Sequence, residues 1–129
     1  MTDPIDINQG VRQGCILSPL LFNLFLSDFE ESLDQFEEYH PKIDATTRIP
    51  CILWADDIII LSETKTGLQA QLNALETYCK SNSLTINTDK TKCITFNKWG
   101  RHIRNFYTYN NIHLEDISTF RYLGFLVSK

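Results

Sequence analysis

Asp56 and Asp57 stand side by side in Ile52-Leu53-Trp54-Ala55-Asp56-Asp57-Ile58-Ile59-Ile60-Leu61, two carboxylates inside an apolar, β-branched run. Carboxylate oxygens, with water and phosphate oxygens, are the ligands that hard cations such as Mg²⁺ prefer, so the pair points to a metal site for phosphoryl transfer. Two-metal transfer clamps the attacking and leaving oxygens between cations ~3.5–4 Å apart and draws carboxylates from more than one strand. Asp56 and Asp57 therefore supply one side of such a clamp. The plainer alternative is that Asp-Asp is simply good turn chemistry, since aspartate is common in hairpin turns.

The remaining reactive side chains form no second constellation. Cys15, Cys51, Cys79 and Cys93 contain no CxxC pair, and His40, His102 and His113 are scattered, so neither a zinc site nor a disulfide framework is suggested. The cysteines are expected to be reduced packing residues. A formal net charge of −4 argues against gripping nucleic acid by bulk electrostatics. The distribution matters more than the sum: Lys90, Lys92, Lys98, Arg101 and Arg104 share a segment with no acidic residue, while Asp28, Glu30, Glu31, Asp34, Glu37 and Glu38 crowd an earlier one. A basic face and a solvated acidic helix face follow. The apolar stretch Ile16 to Leu26 is interrupted by Ser18, Pro19 and Asn23 and has no basic leader, so neither a signal peptide nor a transmembrane span is expected.

The elements that must position the carboxylates can be read from periodicity. Adjacent residues on a straight strand face opposite ways, so two neighbouring Asp residues approach one site only at a turn. Cys51 to Trp54 and Ile58 to Leu61 read as strands of a hairpin with Ala55-Asp56-Asp57 at its tip. Ser18-Pro19 opens a helix expected from Pro19 to Glu38, with Leu21, Phe22, Phe25, Leu26, Phe29, Leu33 and Phe36 at helical spacing. Thr66 and Gln69 stand in capping-box spacing before Leu68, Leu72, Leu75 and Cys79, which predicts a second helix from Thr66 to Ser81. Ile5-Asp6-Ile7, Leu84-Thr85-Ile86, Cys93 to Phe96, Phe106 to Tyr109 and Tyr122 to Val127 read as further strands, with Asn110-Asn111 as a turn. The fold expected is α+β, a small antiparallel sheet with two helices packed on one face.

Four blocks in order carry a resemblance: Gly10-Val11-Arg12-Gln13-Gly14-Cys15-Ile16-Leu17-Ser18-Pro19-Leu20-Leu21-Phe22-Asn23, then Trp54-Ala55-Asp56-Asp57, then Leu84-Thr85-Ile86-Asn87-Thr88-Asp89-Lys90-Thr91-Lys92, then Tyr122-Leu123-Gly124. Together they resemble the ordered motifs of reverse transcriptases, most closely those of non-long-terminal-repeat retrotransposons, from about Ile5 to Gly124. The resemblance implies a partial polymerase palm, spanning residues 1–129, and RNA-directed DNA synthesis by two-metal nucleotidyl transfer with Mg²⁺. It implies RNA template, DNA primer and dNTP as partners of the complete enzyme, an intracellular setting and no membrane.

Residue by residue, the resemblance places Gln13 near the templating base, with Gly10 and Gly14 letting the backbone approach nucleic acid. Asp56 would be the catalytic metal ligand and Asp57 a neighbour with a weaker, partly structural part. Asn87 and Lys90 would lie near the incoming nucleotide's phosphates, where a cation offsets developing charge. Tyr122, Leu123 and Gly124 resemble the primer-gripping hairpin. Trp54 departs from the tyrosine or phenylalanine usual before Ala-Asp-Asp, which alters the fit at the primer end. In this family a further essential Asp lies on a strand well upstream of the GxxQG block. Only nine residues precede Gly10, and Asp3 and Asp6 read as turn and strand-surface residues. The chain is thus expected to be inactive alone, whether as a truncated gene model, a decayed element or a reused fragment. The competing readings are a non-catalytic module that binds nucleic acid or protein through the palm core, with Lys90 to Arg104 as its contact, and an unrelated metal-dependent enzyme such as a nucleotide cyclase. The second leaves GVRQG and YLG unexplained.

Overall fold

A computed structural model describes residues 14–97 and 105–129. The expected strand Ile5-Asp6-Ile7 lies outside them. The chain runs through helix α1 (Ser18–Phe25), helix α2 (Phe29–Leu33), a 3₁₀ segment (Asp34–Tyr39), strands β1 (Cys51–Trp54) and β2 (Asp57–Ile60), and helix α3 (Lys65–Ser81). Strands β3 (Lys92–Cys93), β4 (Tyr107–Tyr109), β5 (Ile112–Asp116), β6 (Thr119–Tyr122) and β7 (Phe125–Ser128) follow. The α+β class is as expected. Among the described residues the expected single antiparallel sheet is instead three small ones, β1-β2, β3-β5-β4 and β6-β7, and the β3-β5 pair is parallel.

The helix expected over Pro19 to Glu38 is broken. Ser27 turns its hydroxyl back onto the Leu24 carbonyl at 2.8 Å, and the Ser27 amide also bonds that carbonyl, so local hydrogen bonds end the helix although the apolar spacing runs on. Helical bonding resumes at Phe29 and tightens to 3₁₀ until His40, which adopts the extended backbone that a following proline favours. The apolar positions survive the break: Leu26, Phe29 and Leu33 are buried, while Glu30, Glu31, Asp34, Glu37 and Glu38 face solvent.

Helix α3 begins at Lys65, and its cap is Thr64 rather than Thr66. Thr64 is extended and its Oγ1 accepts from the Gly67 amide at 3.0 Å. Gln69, expected to close a capping box, acts across space: its side-chain amide donates to the Thr108 carbonyl at 2.9 Å and accepts from the Thr108 amide at 3.0 Å. One helical turn pair further on, Glu76 accepts from the Asn110 amide at 3.0 Å. Side chains of α3 thus stand in for a missing strand neighbour along β4, which closes that sheet edge. The inner face of α3, Leu72, Leu75, Tyr78 and Cys79, meets Leu26, Phe29, Leu33, Cys51, Cys93, Tyr107, Tyr109 and Leu114 in one core. Burial raises the thiols of Cys51 and Cys93 to about 11, which fits packing residues and not nucleophiles.

Gly67 marks the closest approach in this framework. A Cβ there would come within 2.4 Å of Tyr39 Cβ and Cγ and 2.6 Å of Ser62 Oγ. Because Tyr39 Cβ belongs to the root of its side chain, backbone must move to make room. Gly67→Ala is expected to destabilise by roughly 1–3 kcal/mol in urea unfolding, the cost of overpacking, despite alanine's better helix propensity. An unchanged or raised midpoint would disprove this packing.

His40 is buried, with 2% of its surface exposed, and its Nε2 has no partner among the described residues. Burial lowers its pKa below the ordinary 6.5, outweighing the pull of Asp34, Glu37 and Glu30, with Arg48 adding to the lowering. The folded state therefore favours neutral His40. Its contribution is fully present above the unfolded value and is lost as pH falls from about 6.5 towards the lower folded value. The thermal midpoint is expected to fall between pH 7.5 and the carboxylate range near 5, and His40→Gln to flatten that slope. A wild-type midpoint level across the window would contradict it.

Candidate active site

The two carboxylates are set by the register of the β1-β2 hairpin. Cys51 pairs with Ile60, Ile52 with Ile59, Leu53 with Ile58 and Trp54 with Asp57. Only Ala55 and Asp56 remain to form the loop, so Asp57 is the first residue of β2 and not part of the tip as expected. Opposed residues share a face, which puts Cys51, Leu53, Ile58 and Ile60 towards the core and Ile52, Trp54, Asp57 and Ile59 outward. Asp57 thus lies beside the exposed indole of Trp54, and Asp56 lies at the turn itself. Both carboxylates are exposed, and neither has a hydrogen bond or ion pair among the described residues.

Ala55 has φ +51°, in the left-handed region that costs an L-residue about 1–2 kcal/mol relative to the right-handed one. A two-residue hairpin loop asks for this kind of backbone. A strained residue persists only where its surroundings over-determine it, and here the β1-β2 pairing does so and keeps Asp56 at a fixed place relative to the strands. On the inner side the tip borders a cavity of about 140 Å³ lined by Phe22, Leu26, Asp56, Ile58, Leu75, Tyr78, Cys79, Leu84, Thr85 and Ile86. A carboxylate therefore stands at the rim of an apolar recess between α1, α3 and the segment after α3. No cluster of three or more potential metal ligands exists among the described residues. Asp56 fits a metal as one oxygen donor of an incomplete set.

The other expected site residues divide. Gly10 and Gln13 lie outside the described residues, as do Lys98, Arg101 and Arg104. Gly14 has φ +80° with open space where a Cβ would be, so its glycine serves a left-handed turn into α1. Asn87 organises its own loop, for its Oδ1 accepts from the Asp89 and Lys90 amides at 3.1 and 3.2 Å, and its carbonyl accepts from Thr91. That loop presents Lys90, whose exposed ammonium forms no ion pair among the described residues. Lys92 is tied to Glu115 at 2.6 Å. The segment Leu84-Thr85-Ile86 is not a strand and walls the cavity instead.

Tyr122, Leu123 and Gly124 lie at a second tight hairpin. Tyr122 pairs with Phe125, and Leu123 and Gly124 have φ +46° and +85°. Both central residues are left-handed, the backbone that a right-twisted two-residue hairpin demands. Phe120 opposes Val127 and Tyr122 opposes Phe125 on one face, a largely exposed apolar ribbon. The strand expected from Tyr122 to Val127 is therefore two strands about a turn. Its far end is fixed by Asp116, which accepts from Lys129 Nζ at 2.8 Å and from the Asn105 amide at 3.3 Å.

Tyr78 is the cavity residue that sequence reasoning passed over. It sits one helical turn after Leu75 on the apolar face, and its only signal was a polar tip in a buried position.

Residues 2–127 match the sequence model of the family described as Reverse transcriptase (RNA-dependent DNA polymerase). The chain is 28% identical over 142 residues to a Retrovirus-related Pol polyprotein from type-1 retrotransposable element R2 of Popillia japonica, covering 98% of this chain and 22% of that protein. It is 40% identical over 68 residues to the corresponding R2 polyprotein of Nasonia vitripennis, covering 53% of this chain and 6% of that one. With the Probable RNA-directed DNA polymerase from transposon BS of Drosophila melanogaster it shares 30% identity over 98% of its own length and 14% of the relative's. The chain spans about a fifth or less of the length of these relatives. No solved structure matches it. Among the described residues, no helix is long and apolar enough to cross a membrane. The four ordered blocks, the tight Trp54-Ala55-Asp56-Asp57 hairpin and a family match over nearly every residue lead to one assignment: the chain belongs to the reverse transcriptase family, of the non-long-terminal-repeat retrotransposon type.

Proposed function

We propose that this chain supplies the catalytic hairpin of a polymerase palm for RNA-directed DNA synthesis, and that it catalyses nucleotidyl transfer only when a carboxylate from another segment faces Asp56. The observation that carries this reading is the hairpin register, which isolates Asp56 at a strained two-residue turn with its carboxylate free of partners among the described residues. Asp56 would hold Mg²⁺, with Asp57 beside it on the outer face. The bound cation supplies charge stabilisation for phosphoryl oxygens. Lys90 offers its ammonium to the nucleotide's phosphates from the loop that Asn87 ties, and Gly14 sets the turn that leads into α1. The Tyr122-Leu123-Gly124 turn presents the ribbon of Phe120, Tyr122 and Phe125 to the primer end.

Among the described residues the Asp56 hairpin supplies one side of a metal clamp and no group of three ligands completes it, so the 129-residue chain alone is expected to show no templated extension with Mg²⁺ or Mn²⁺. The test joins the chain in frame to the segments that flank the matching stretch in the Popillia relative. Primer extension on RNA by that chimera, and none by the chain alone, is the expected result. Extension by the bare chain would defeat the requirement for a further carboxylate. An inactive chimera whose native parent extends primers in the same assay would defeat the polymerase reading.

A further inference from the structure

Helix α1 is the most lightly anchored helix of the fold. Within Ser18–Phe25 only Ser18 is buried and Phe22 packs in part on the core, while Leu20, Leu21, Leu24 and Phe25 are exposed. Beyond Leu26 the α-helical ladder gives way to single-turn bonds, from the Ser27 amide to the Leu24 carbonyl and from the Phe29 amide to the Leu26 carbonyl, so α2 does not by itself fix the direction of α1. It has to be set by contacts made at the break.

One side chain makes them from both sides. Tyr78 of α3 donates its hydroxyl to Asp28 Oδ1 at 2.5 Å, and the hydroxyl oxygen lies 3.3 Å from the Phe25 carbonyl at the end of α1. Its ring meets Phe29, the first residue of α2, edge-on with centroids 5.1 Å apart. Asp28 occupies the N-cap position of α2 yet makes no capping hydrogen bond. An aspartate there ordinarily accepts from the exposed amides of the first turn, a contact worth about 1 kcal/mol. Here that carboxylate is diverted to Tyr78. Burial, and then Asp28, raise the Tyr78 pKa, so the phenol stays a neutral donor across the working range. The ring also lines the recess whose rim carries Asp56, alongside Phe22 and Leu26 from α1 and its end.

We propose that Tyr78 is a positioning residue, whose hydroxyl, held by Asp28, fixes the angle between α1 and α2 and so sets α1, through Phe22 and Leu26, against the recess whose rim carries Asp56. The consequence for catalysis rests on the polymerase reading; the geometry does not. Tyr78→Phe keeps the ring and its contact with Phe29 and removes only the bond across the break. Asp28 is then released to cap α2, and α1 loses its fixed direction.

Cys15 is the one exposed cysteine beside three buried ones, so a thiol-reactive acceptor placed there reports its distance from Trp54 in a Trp99→Phe background. Tyr78→Phe and Asp28→Leu are expected to change the transfer efficiency in the same direction, while Asp28→Asn, whose amide oxygen still accepts, keeps the wild-type value. Unchanged transfer in both disabling variants overturns the proposal. In the chimeric polymerase, Tyr78→Phe is expected to lower kcat roughly 10-fold with the nucleotide KM within about 2-fold, because misplacement by a fraction of an ångström affects alignment more than binding. A wild-type kcat in that variant also overturns it. Absence of extension in the parent chimera counts against the polymerase reading alone and leaves the transfer measurement to decide this one.

Discussion

Asp56→Asn in the chimeric polymerase is expected to lower primer extension by about 10³-fold, roughly 4 kcal/mol of barrier, and to leave the unfolding midpoint where it was. The two halves of this result come from one observation. Asp56 lies at the turn with no protein hydrogen bond or ion pair among the described residues, so exchanging one carboxylate oxygen for an amide removes charge without breaking a fold contact. Asp57→Asn is expected to cost about 10-fold, since its side chain starts on the outer face beside Trp54 and does not share the tip with Asp56. Single-turnover extension rates, measured next to thermal unfolding of each variant, separate the cases. Equal losses at both positions would show that the two carboxylates ligate together, and an active Asp56→Asn chimera would remove the hairpin from the chemistry.

How much of this was legible depends on which force decided each element. Helix α3 and the β1-β2 hairpin follow from apolar spacing and a polar pair between two apolar runs, and the Asn110-Asn111 turn follows from residues that tolerate left-handed backbone, φ +48° and +60° here. The break at Leu26 to Asp28 was hidden because Leu26, Phe29 and Leu33 keep helical spacing across it; what stops the helix is a serine hydroxyl folding back on a carbonyl. Thr64 and Thr66 are equally good caps by composition, and the choice fell to the residue that is extended and reaches the Gly67 amide. Strand β5 was missed because Glu115 and Asp116 mask it, although their charges are met by Lys92 and Lys129. At the site, period two already implied that adjacent aspartates diverge unless both stand in the turn. Which of them takes the turn required the register. Asn87 has a local role that no motif announces, since it depends on amides two and three residues on.

Phe29→Ala is expected to cost about 3–5 kcal/mol, the largest single loss of stability in the chain. Phe29 has no exposed surface, packs against the Tyr78 ring at 5.1 Å, and belongs to the same core as Leu26 and Leu33. Truncation removes its transfer free energy and leaves a void beneath a short helix of five residues, which has little hydrogen bonding of its own to resist the loss. A domain of this size is stabilised by roughly 5–15 kcal/mol, so the variant stands close to unfolding. Phe25→Ala, four residues earlier on the same apolar spacing, is expected to change stability by less than about 1 kcal/mol, because Phe25 is 46% exposed and its one aromatic partner among the described residues is Phe22 at 6.4 Å. Urea unfolding of the pair measures where the core ends and the open face of α1 begins. Comparable losses at both positions would mean that Phe25 is covered in solution and that α1 does not stand free as the structure has it.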